Sequence, residues 1–450
     1  MASNPKNYEI DFTKGKILIP LFIFALPLML SGMLQLFYNA ADIIVVGRFA
    51  GKESLAAVGS TSALINLLTN AFLGLAVGAN VIVAKGFGTN DSELIHNAVH
   101  TSVTVAVIGG VIFGATGFIF ARPLLLLMGS PEDVIYKSTL YMKIYFAGLP
   151  AMAVYNFGSA ILRAVGDTKR PLFFLVISGF INIILNLIFV IAFKMDVAGV
   201  ALATIISQIV SAALIIICLI KTDSAYKLVL KELKIHKNEF TGIMRVGLPA
   251  GLQGTLFSFS NMLIQSSINS FGSVAMAGNS AGGNIEGFVY IAMNSIYHTS
   301  LTFCAQNLGI KNIERIKKGI LCCLALVSAI GLVLGTLAVL FSRELVSIYS
   351  PDPDVIEIGV ERIAVICSLY FLCGIMDTLA GILRGLSYSL LPMIITLIGA
   401  CGFRVLWIDI MFEFKRSLFT LYLAYPVSWT ITLIALLISL IFVMKKLSRR

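Results

Sequence analysis

The stretch "AILRAVGDTKRP", residues 160–171, has a second copy in "GILRGLSYSLLP", residues 381–392. Leu162 answers Leu383, Arg163 answers Arg384 and Pro171 answers Pro392, each pair separated by the same 221 residues. That shift also relates "EDVI" (132–135) to "PDVI" (353–356), and "AKGFG" (84–88) to "AQNLG" (305–309). Pro27 and Pro249 correspond within one residue. A chain of 450 residues with this period is two copies of one plan joined near the middle.

The duplicated unit is apolar. Hydrophobic residues make up 58% of the chain and charged residues 12%, against about 25% charged in soluble domains. No globular core hides that much apolar surface, so the chain reads as a polytopic membrane protein. A helix crosses the hydrocarbon with about 20 residues. Twelve spans are predicted, near 17–47, 55–84, 94–121, 134–161, 171–193, 197–221, 241–270, 280–308, 316–341, 355–383, 391–412 and 418–444. Pro20, Pro27, Pro150, Pro249 and Pro426 fall in or at the start of spans, where each removes a backbone donor and bends the helix.

The predicted fold is an all-α membrane protein, with twelve transmembrane helices in two pseudo-symmetric six-helix lobes. The expected boundaries are 1–221 for the N-terminal lobe, 222–240 for a basic cytoplasmic linker and 241–450 for the C-terminal lobe. Six is even, so both lobes enter the membrane the same way and the repeat is parallel. Most lysines and arginines fall in one set of loops, among them Lys14, Lys85, Lys169, Lys231, Lys317 and Lys445. The opposite set is sparser and holds Arg48, Lys52, Arg122, Lys137, Lys194, Arg343, Arg362, Lys415 and Arg416. By the positive-inside rule the richer set and both termini are cytoplasmic. The expected location is a bacterial inner membrane, with the first apolar run kept as a signal-anchor helix.

The net charge of +10 then reflects basic loops, and no nucleic-acid partner is expected. The seven cysteines lie in apolar segments without a C-x-x-C and read as small buried hydrophobes, with no metal site. His96 and His100, four residues apart, read as part of an interfacial amphipathic stretch. No phosphate-binding loop is present, so ATP is not the driving force. An intramembrane enzyme needs clustered His, Ser or acid groups at catalytic spacing, and none appears. The chain is expected not to be an enzyme.

One acid stands out. In "YNAADIIVVGRF" (38–49), Asp42 is the only carboxylate of the first apolar run. Acids within spans are costly, and they mark ion or substrate pathways more often than scaffold. The competing reading is a fixed carboxylate bonded inside its lobe or paired with Arg48.

At this level the chain resembles the MATE (multidrug and toxic compound extrusion) family over nearly its whole length. Span 1 carries the family's N-x-x-D-x-x-x-V-G pattern as Asn39, Asp42, Val46 and Gly47. "LRAVGDTKRP", "VAGVALAT" (197–204) and "AQNLG" resemble its other signatures. "GGNIEGFVYIAMNS" (282–295) and "FRVLWI" (403–408) look closest to the DinF-like bacterial branch. The resemblance implies an antiporter that exports organic, often cationic or amphipathic compounds in exchange for H⁺ or Na⁺ by alternating access. It also implies that the span-1 acid is the ion-coupling group, partnered by polar residues of span 5, which here are Asn182 and Asn186. Four residues apart, they share one helix face. The NorM-type branch has an acid in span 7, whereas this chain runs there through Gln253, Ser258, Ser260, Asn261 and Gln265.

The second lobe has its own charges, Glu286, Asp377 and Arg404. Under the 221 shift Asp377 answers Asn156, Arg404 answers Ile183, and Asp42 falls opposite Leu263. The scaffold repeats but the ionisable groups do not, which centres ion chemistry in the first lobe. Arg404 needs a carboxylate or carbonyls, and Glu286 is a candidate partner. Lys143, deep in span 4, is expected to snorkel or pair locally. Met33, Gln35, Phe37, Tyr38, Met262, Tyr290 and Met293 are the candidate substrate contacts, since methionines and aromatics make adaptable apolar surfaces. No cofactor is expected beyond the coupling ion. The expected partners are a small-molecule substrate and the lipid bilayer, with the chain a monomer. The rival function is a flippase for lipid-linked oligosaccharides, which needs a large cationic cavity for pyrophosphate.

Overall fold

The computed structural model describes residues 8–127, 132–412 and 414–449. In chain order, α1 (Leu18–Phe49), α2 (Lys52–Thr89) and α3 (Ser92–Leu127) are long single helices. α4 (Glu132–Ala147) and α5 (Leu149–Ala164) form one passage bent by 46° at Gly148. α6 (Lys169–Asn186) runs into a π-helical segment, Leu187–Ala192, and α7 (Asp196–Lys221) closes the first half. The second half opens with α8 (Lys237–Asn269), α9 (Ser273–Gly309) and α10 (Ile313–Leu340), followed by a short α11 (Ser342–Ser347). α12 (Pro353–Cys367) and α13 (Tyr370–Gly385) make the second bent pair, at 48°. α14 (Leu390–Thr396), a π segment Leu397–Gly402, α15 (Phe403–Trp407) and a π segment Ile408–Phe412 form one passage. α16 (Leu418–Ser448) follows.

Eight of these passages are long and apolar enough to cross a membrane singly, and the two bent pairs raise the number to ten. α8 and α9 are as long but more polar, carrying Gln253, Ser258, Asn261 and Gln265 on one and Asn279, Asn284 and Glu286 on the other. Among the described residues these are the twelve predicted spans, and the chain is an all-α multi-pass membrane protein. α2 and α8 extend past one predicted end through polar stretches, 85–89 and 237–240, whereas α3 runs on through the leucines 124–127 and α9 starts seven residues early at Ser273.

The 221-residue shift holds in backbone detail. α2 ends at Asn90 with φ 53°, and its counterpart Lys311 has φ 54°. Asp91 Oδ1 then accepts the N–H of Leu94 at 3.0 Å, and Asn312 Oδ1 accepts that of Arg315 at 3.0 Å. These are matching N-caps, which satisfy an orphan donor in the first turn. The π segments beginning at Leu187 and Ile408 also correspond. The turn after "LRAV" differs between copies. Gly166 has φ 91°, and a Cβ there would lie 2.2 Å from the Ile10 nitrogen. Its counterpart Ser387 holds φ 68°.

The helices pack into two compact units. Unit 1 holds the chain up to Asp11 and Leu30–Gly251, and unit 2 holds Phe12–Met29 and Leu252 onward. These boundaries depart from the expected 221 and 241. α1 contributes its first part, residues 18–29, to unit 2, and α8 contributes its first part, residues 237–251, to unit 1. Both helices carry a proline near the change, Pro27 and Pro249. The exchange is itself pseudo-symmetric. In unit 1, α8 lies against α2 at glycines: a Cβ on Gly74 would stand 2.1 Å from the Gly251 nitrogen, and one on Gly78 2.2 Å from the Ile243 carbonyl oxygen. In unit 2, Phe12 packs edge-on against Phe24 and Phe303, with centroids 5.2 and 5.6 Å away.

The segment 222–240 is not a free tether. Tyr226 and Leu228 are fully buried. The Val229 N–H donates to His100 Nε2 at 3.0 Å, and the His236 N–H donates to Thr101 Oγ1 at 3.0 Å. Glu232 lies 2.9 Å from His96. A backbone N–H only donates, so His100 Nε2 is the acceptor and Nδ1 carries the proton that meets the His96 carbonyl at 2.7 Å. Three ligand-type atoms of His96, His100 and Glu232 do lie within 4.8 Å of one another. Both nitrogens of buried His100 are nonetheless committed, so the cluster clamps the linker onto α3. The expected surface amphipathic stretch is corrected to this contact.

Candidate functional site

Asp42 sits in the part of α1 that belongs to unit 1. Val45 and Val46, one turn on, are buried against Val197 and Val200 of α7. That packing turns Asp42 toward α6 and α7. Asn186 Nδ2 donates to Asp42 Oδ1 at 2.5 Å and to Asn182 Oδ1 at 3.2 Å. Thr204 Oγ1 is 3.5 Å from Asp42 Oδ2 and 3.5 Å from Asn182 Nδ2. Asn182 and Asn186 are buried. The structure therefore brings together the three predicted coupling residues and adds Thr204.

Among the described residues Asp42 bonds to one uncharged amide, Asn186, and one hydroxyl, Thr204, with Asn182 held behind them, and Arg48 is not among its partners. The Asn186 Oδ1 is buried and, among the described residues, has no hydrogen-bond partner. Such orphan acceptors are uncommon in native structures and point to an unfilled role. The cluster gathers carboxylate, amide and hydroxyl oxygens around one acid, the kind of donor set that coordinates Na⁺ or holds H⁺ in secondary transporters. Asn186 is the last α-helical residue before the π segment Leu187–Ala192. π-helical turns often mark functional positions because they redirect side chains.

Thr204 was legible as the final residue of "VAGVALAT", although nothing in the sequence gave it a partner. Across the turn at 164–168, Asp167 is fully buried and pairs with Arg170. It also accepts the N–H groups of Lys169 and Arg170, both at 3.1 Å. Burial pushes its carboxyl above the ordinary range, against the pull of Arg170. Arg170 also donates to Tyr226, which donates to Glu9 at 2.8 Å. This signature thus organises a turn away from Asp42.

In unit 2 the charges pair differently from expectation. Glu286 binds Arg362 at 2.7 Å, and Arg362 also donates to Asn279. The Asn279 side chain in turn meets Gln265 at 2.8 Å. Arg362, read as a loop residue, is buried with Val355, Gly359, Ile363 and Ile366 on one face of α12. That three-and-four spacing was the overlooked signal. Arg404 does not pair with Glu286. It donates to Ser428 and Asn261, both at 3.1 Å, and stacks over Tyr425 at 4.5 Å. Asp377 is half-buried on α13, between buried Met376 and Thr378. Arg384 donates to Tyr297 and Gln253, both at 2.6 Å. Lys143 lies over the Phe118 ring at 5.3 Å, a local contact of the expected kind.

The proposed substrate contacts separate into two kinds. Phe37 and Gln35 in unit 1, and Met262 and Tyr290 in unit 2, are exposed on their own units. Met33 and Tyr38 are half-buried, with the Tyr38 ring filling the space over Gly179. Met293 is buried, its sulfur against Gly331 and Gly374. It is a core residue of unit 2, and its assignment to a substrate surface is corrected.

Two repeats of membrane helices, the first holding Asp42 among uncharged side chains within its fold, are the architecture of a membrane transporter. The MatE family profile matches residues 27–188 and 249–407; the chain belongs to the MatE family. It is 29% identical over 391 residues to a probable multidrug resistance protein, YpnP, of Bacillus subtilis, covering 86% of this chain and 87% of that one. To another from the same organism, YoeA, it is 28% identical over 432 residues, covering 94% and 93%. A solved outward-facing multidrug resistance MATE family transporter superposes with a TM-score of 0.90 at 21% identity, covering 98% of each chain.

Proposed function

We propose that this chain exports organic, amphipathic or cationic compounds across a bacterial inner membrane in exchange for H⁺ entering through Asp42. The observation that carries the reading is the uncharged cage of Asn182, Asn186 and Thr204 around that one acid. A carboxylate whose described partners carry no counter-charge is free to gain and lose a proton as its access changes. In this reading the two lobes alternate between outward and inward openings, with both termini cytoplasmic and the chain acting as a monomer. The names of the multidrug resistance relatives support the substrate class.

The energetics are sufficient. One charge moving through about 100 mV is worth about 2.3 kcal/mol, and a tenfold gradient of neutral solute costs about 1.4 kcal/mol. One proton per cycle sustains a gradient of roughly fortyfold. A monovalent cation exchanged for one proton is electroneutral and draws on the pH gradient.

A second reading, Na⁺ as the coupling ion, is favoured by the orphan Asn186 Oδ1, which adds a neutral oxygen to the carboxylate. The flippase alternative loses support from the same geometry. Arg362, Arg384 and Arg404 are all committed to partners within unit 2, leaving little deep positive charge for a pyrophosphate. The test is efflux of a cationic dye from proteoliposomes under imposed pH or Na⁺ gradients, applied separately. Efflux driven by the pH gradient and abolished by Asp42→Asn is expected. Undiminished pH-driven efflux in that variant overturns the proposal, and efflux driven by Na⁺ alone replaces the ion.

A further inference from the structure

Unit 2 carries an open groove of about 550 Å³ between α10 and α16. Both helices pack against α13, so the groove runs along the line where they flank it. Its wall is apolar and includes Leu321, Ile441 and Met444. Leu321 and Ile441 are 68% and 54% exposed, as expected of side chains that face hydrocarbon.

The polar lining has a different character. Lys317, Lys445 and Arg449 stand at the groove's end, near the start of α10 and the finish of α16. Leu321 lies one helical turn below Lys317, and Ile441 one turn below Lys445. Lys317 and Lys445 therefore sit about 6 Å above Leu321 and Ile441 along the helix axes, and Arg449 about 12 Å above Ile441, with Met444 nearly level with Lys445. Glu314 lies 2.8 Å from Lys317 and offsets one of the three charges. Lys446 points elsewhere, over the Tyr388 ring at 5.9 Å.

We propose that this groove binds an anionic phospholipid, its phosphate held by Lys317, Lys445 and Arg449 and its acyl chains along Leu321, Ile441 and Met444. Cations at helix ends are ordinary where basic loops meet a membrane. What distinguishes this place is the groove directly beneath them, in the vertical order of a lipid. Arginine suits the site because its guanidinium meets a phosphate through two parallel donors. Basic pockets between transmembrane helices recognise anionic headgroups in the same way. A zwitterionic lipid brings its own cation to the ring of three, and charge complementarity disfavours it.

The test is lipid retention by the full-length protein in detergent, read by native mass spectrometry after incubation with equal amounts of phosphatidylglycerol and phosphatidylcholine. Wild-type protein is expected to retain phosphatidylglycerol about tenfold in preference. Combined Lys317→Gln, Lys445→Gln and Arg449→Gln should remove that preference. Combined Lys231→Gln, Lys234→Gln and Lys237→Gln, with the same loss of charge elsewhere, should keep it. Met444→Trp and Leu321→Trp, which fill the groove and leave every cation, should each remove it. Equal loss in the two charge variants would show bulk attraction alone and overturn the proposal. So would retention unchanged in both tryptophan variants, equal retention of phosphatidylcholine, or displacement by soluble glycerol phosphate.

Discussion

Asn186 gives its side-chain N–H to Asp42, while its own buried carbonyl oxygen receives no hydrogen bond from any described residue. The pair joins α6 to α1 through the one acid of the first apolar run. If that oxygen serves an ion, Asn186→Leu, similar in size, should lower ion-driven efflux at least about tenfold, equivalent to about 1.4 kcal/mol. Asn186→Asp restores an oxygen and adds charge, so Na⁺-driven efflux should rise relative to pH-driven efflux. Efflux assayed under each gradient checks both, and wild-type rates in Asn186→Leu would remove this residue from the coupling site.

Thr204 touches both Asp42 and Asn182 through one hydroxyl. Thr204→Val keeps the shape and deletes that group. A hydrogen bond contributes about 0.5–1.5 kcal/mol, so a loss of ion-driven efflux of about two- to twelvefold is expected. Dye affinity without a gradient should be unchanged. A fall in affinity alone would make Thr204 a substrate contact instead.

The Glu286–Arg362 pair makes a prediction about stability. Removing one partner of a buried pair costs about 3–5 kcal/mol, because the other charge is left unpaired. Arg362→Met should therefore lower the melting temperature in detergent sharply. Adding Glu286→Leu should recover most of the loss, since replacing both partners by apolar groups is close to neutral. Failure of the second change to rescue the first would mean that Arg362 acts through Asn279 or the rings of Tyr422 and Tyr425.

The architecture was legible because membranes allow so few solutions. A period of 221 residues and twelve apolar runs leave little besides a doubled helix bundle. Asp42, Asn182 and Asn186 were legible because acids and amides are rare in spans, so a resemblance had few positions to choose from. Three features were hidden for physical reasons. Arg362 sits near the end of a span, where charge counting treats every arginine as loop. Thr204 is an ordinary residue in a helix, and only its neighbours give it a role. The exchange of helix starts at α1 and α8 depends on contacts far apart in sequence, which neither composition nor periodicity encodes.

The signature "AQNLG" shows what such a motif does. Gln306 Oε1 accepts the Phe12 N–H at 2.9 Å, and Asn307 Nδ2 donates to the Phe12 carbonyl at 3.2 Å. Arg315 reaches the same carbonyl at 2.7 Å and those of Gly15 and Lys14 at 2.9 and 2.6 Å. The segment before α1 is thus tied down in unit 2 by its backbone, whatever its side chains are. Gln306→Leu strands a buried N–H, at a cost of about 1–3 kcal/mol, and Arg315→Gln removes charge-assisted bonds of about 1.5–3 kcal/mol each. Both should speed trypsin cleavage after Lys14 and Lys16 in the folded protein at least about tenfold, since local opening governs proteolysis when reclosing is fast. Leu94→Gln, at the position that answers Arg315 in the first repeat, should leave cleavage there unchanged. Equal acceleration by all three variants would mean global destabilisation and would remove the anchoring role.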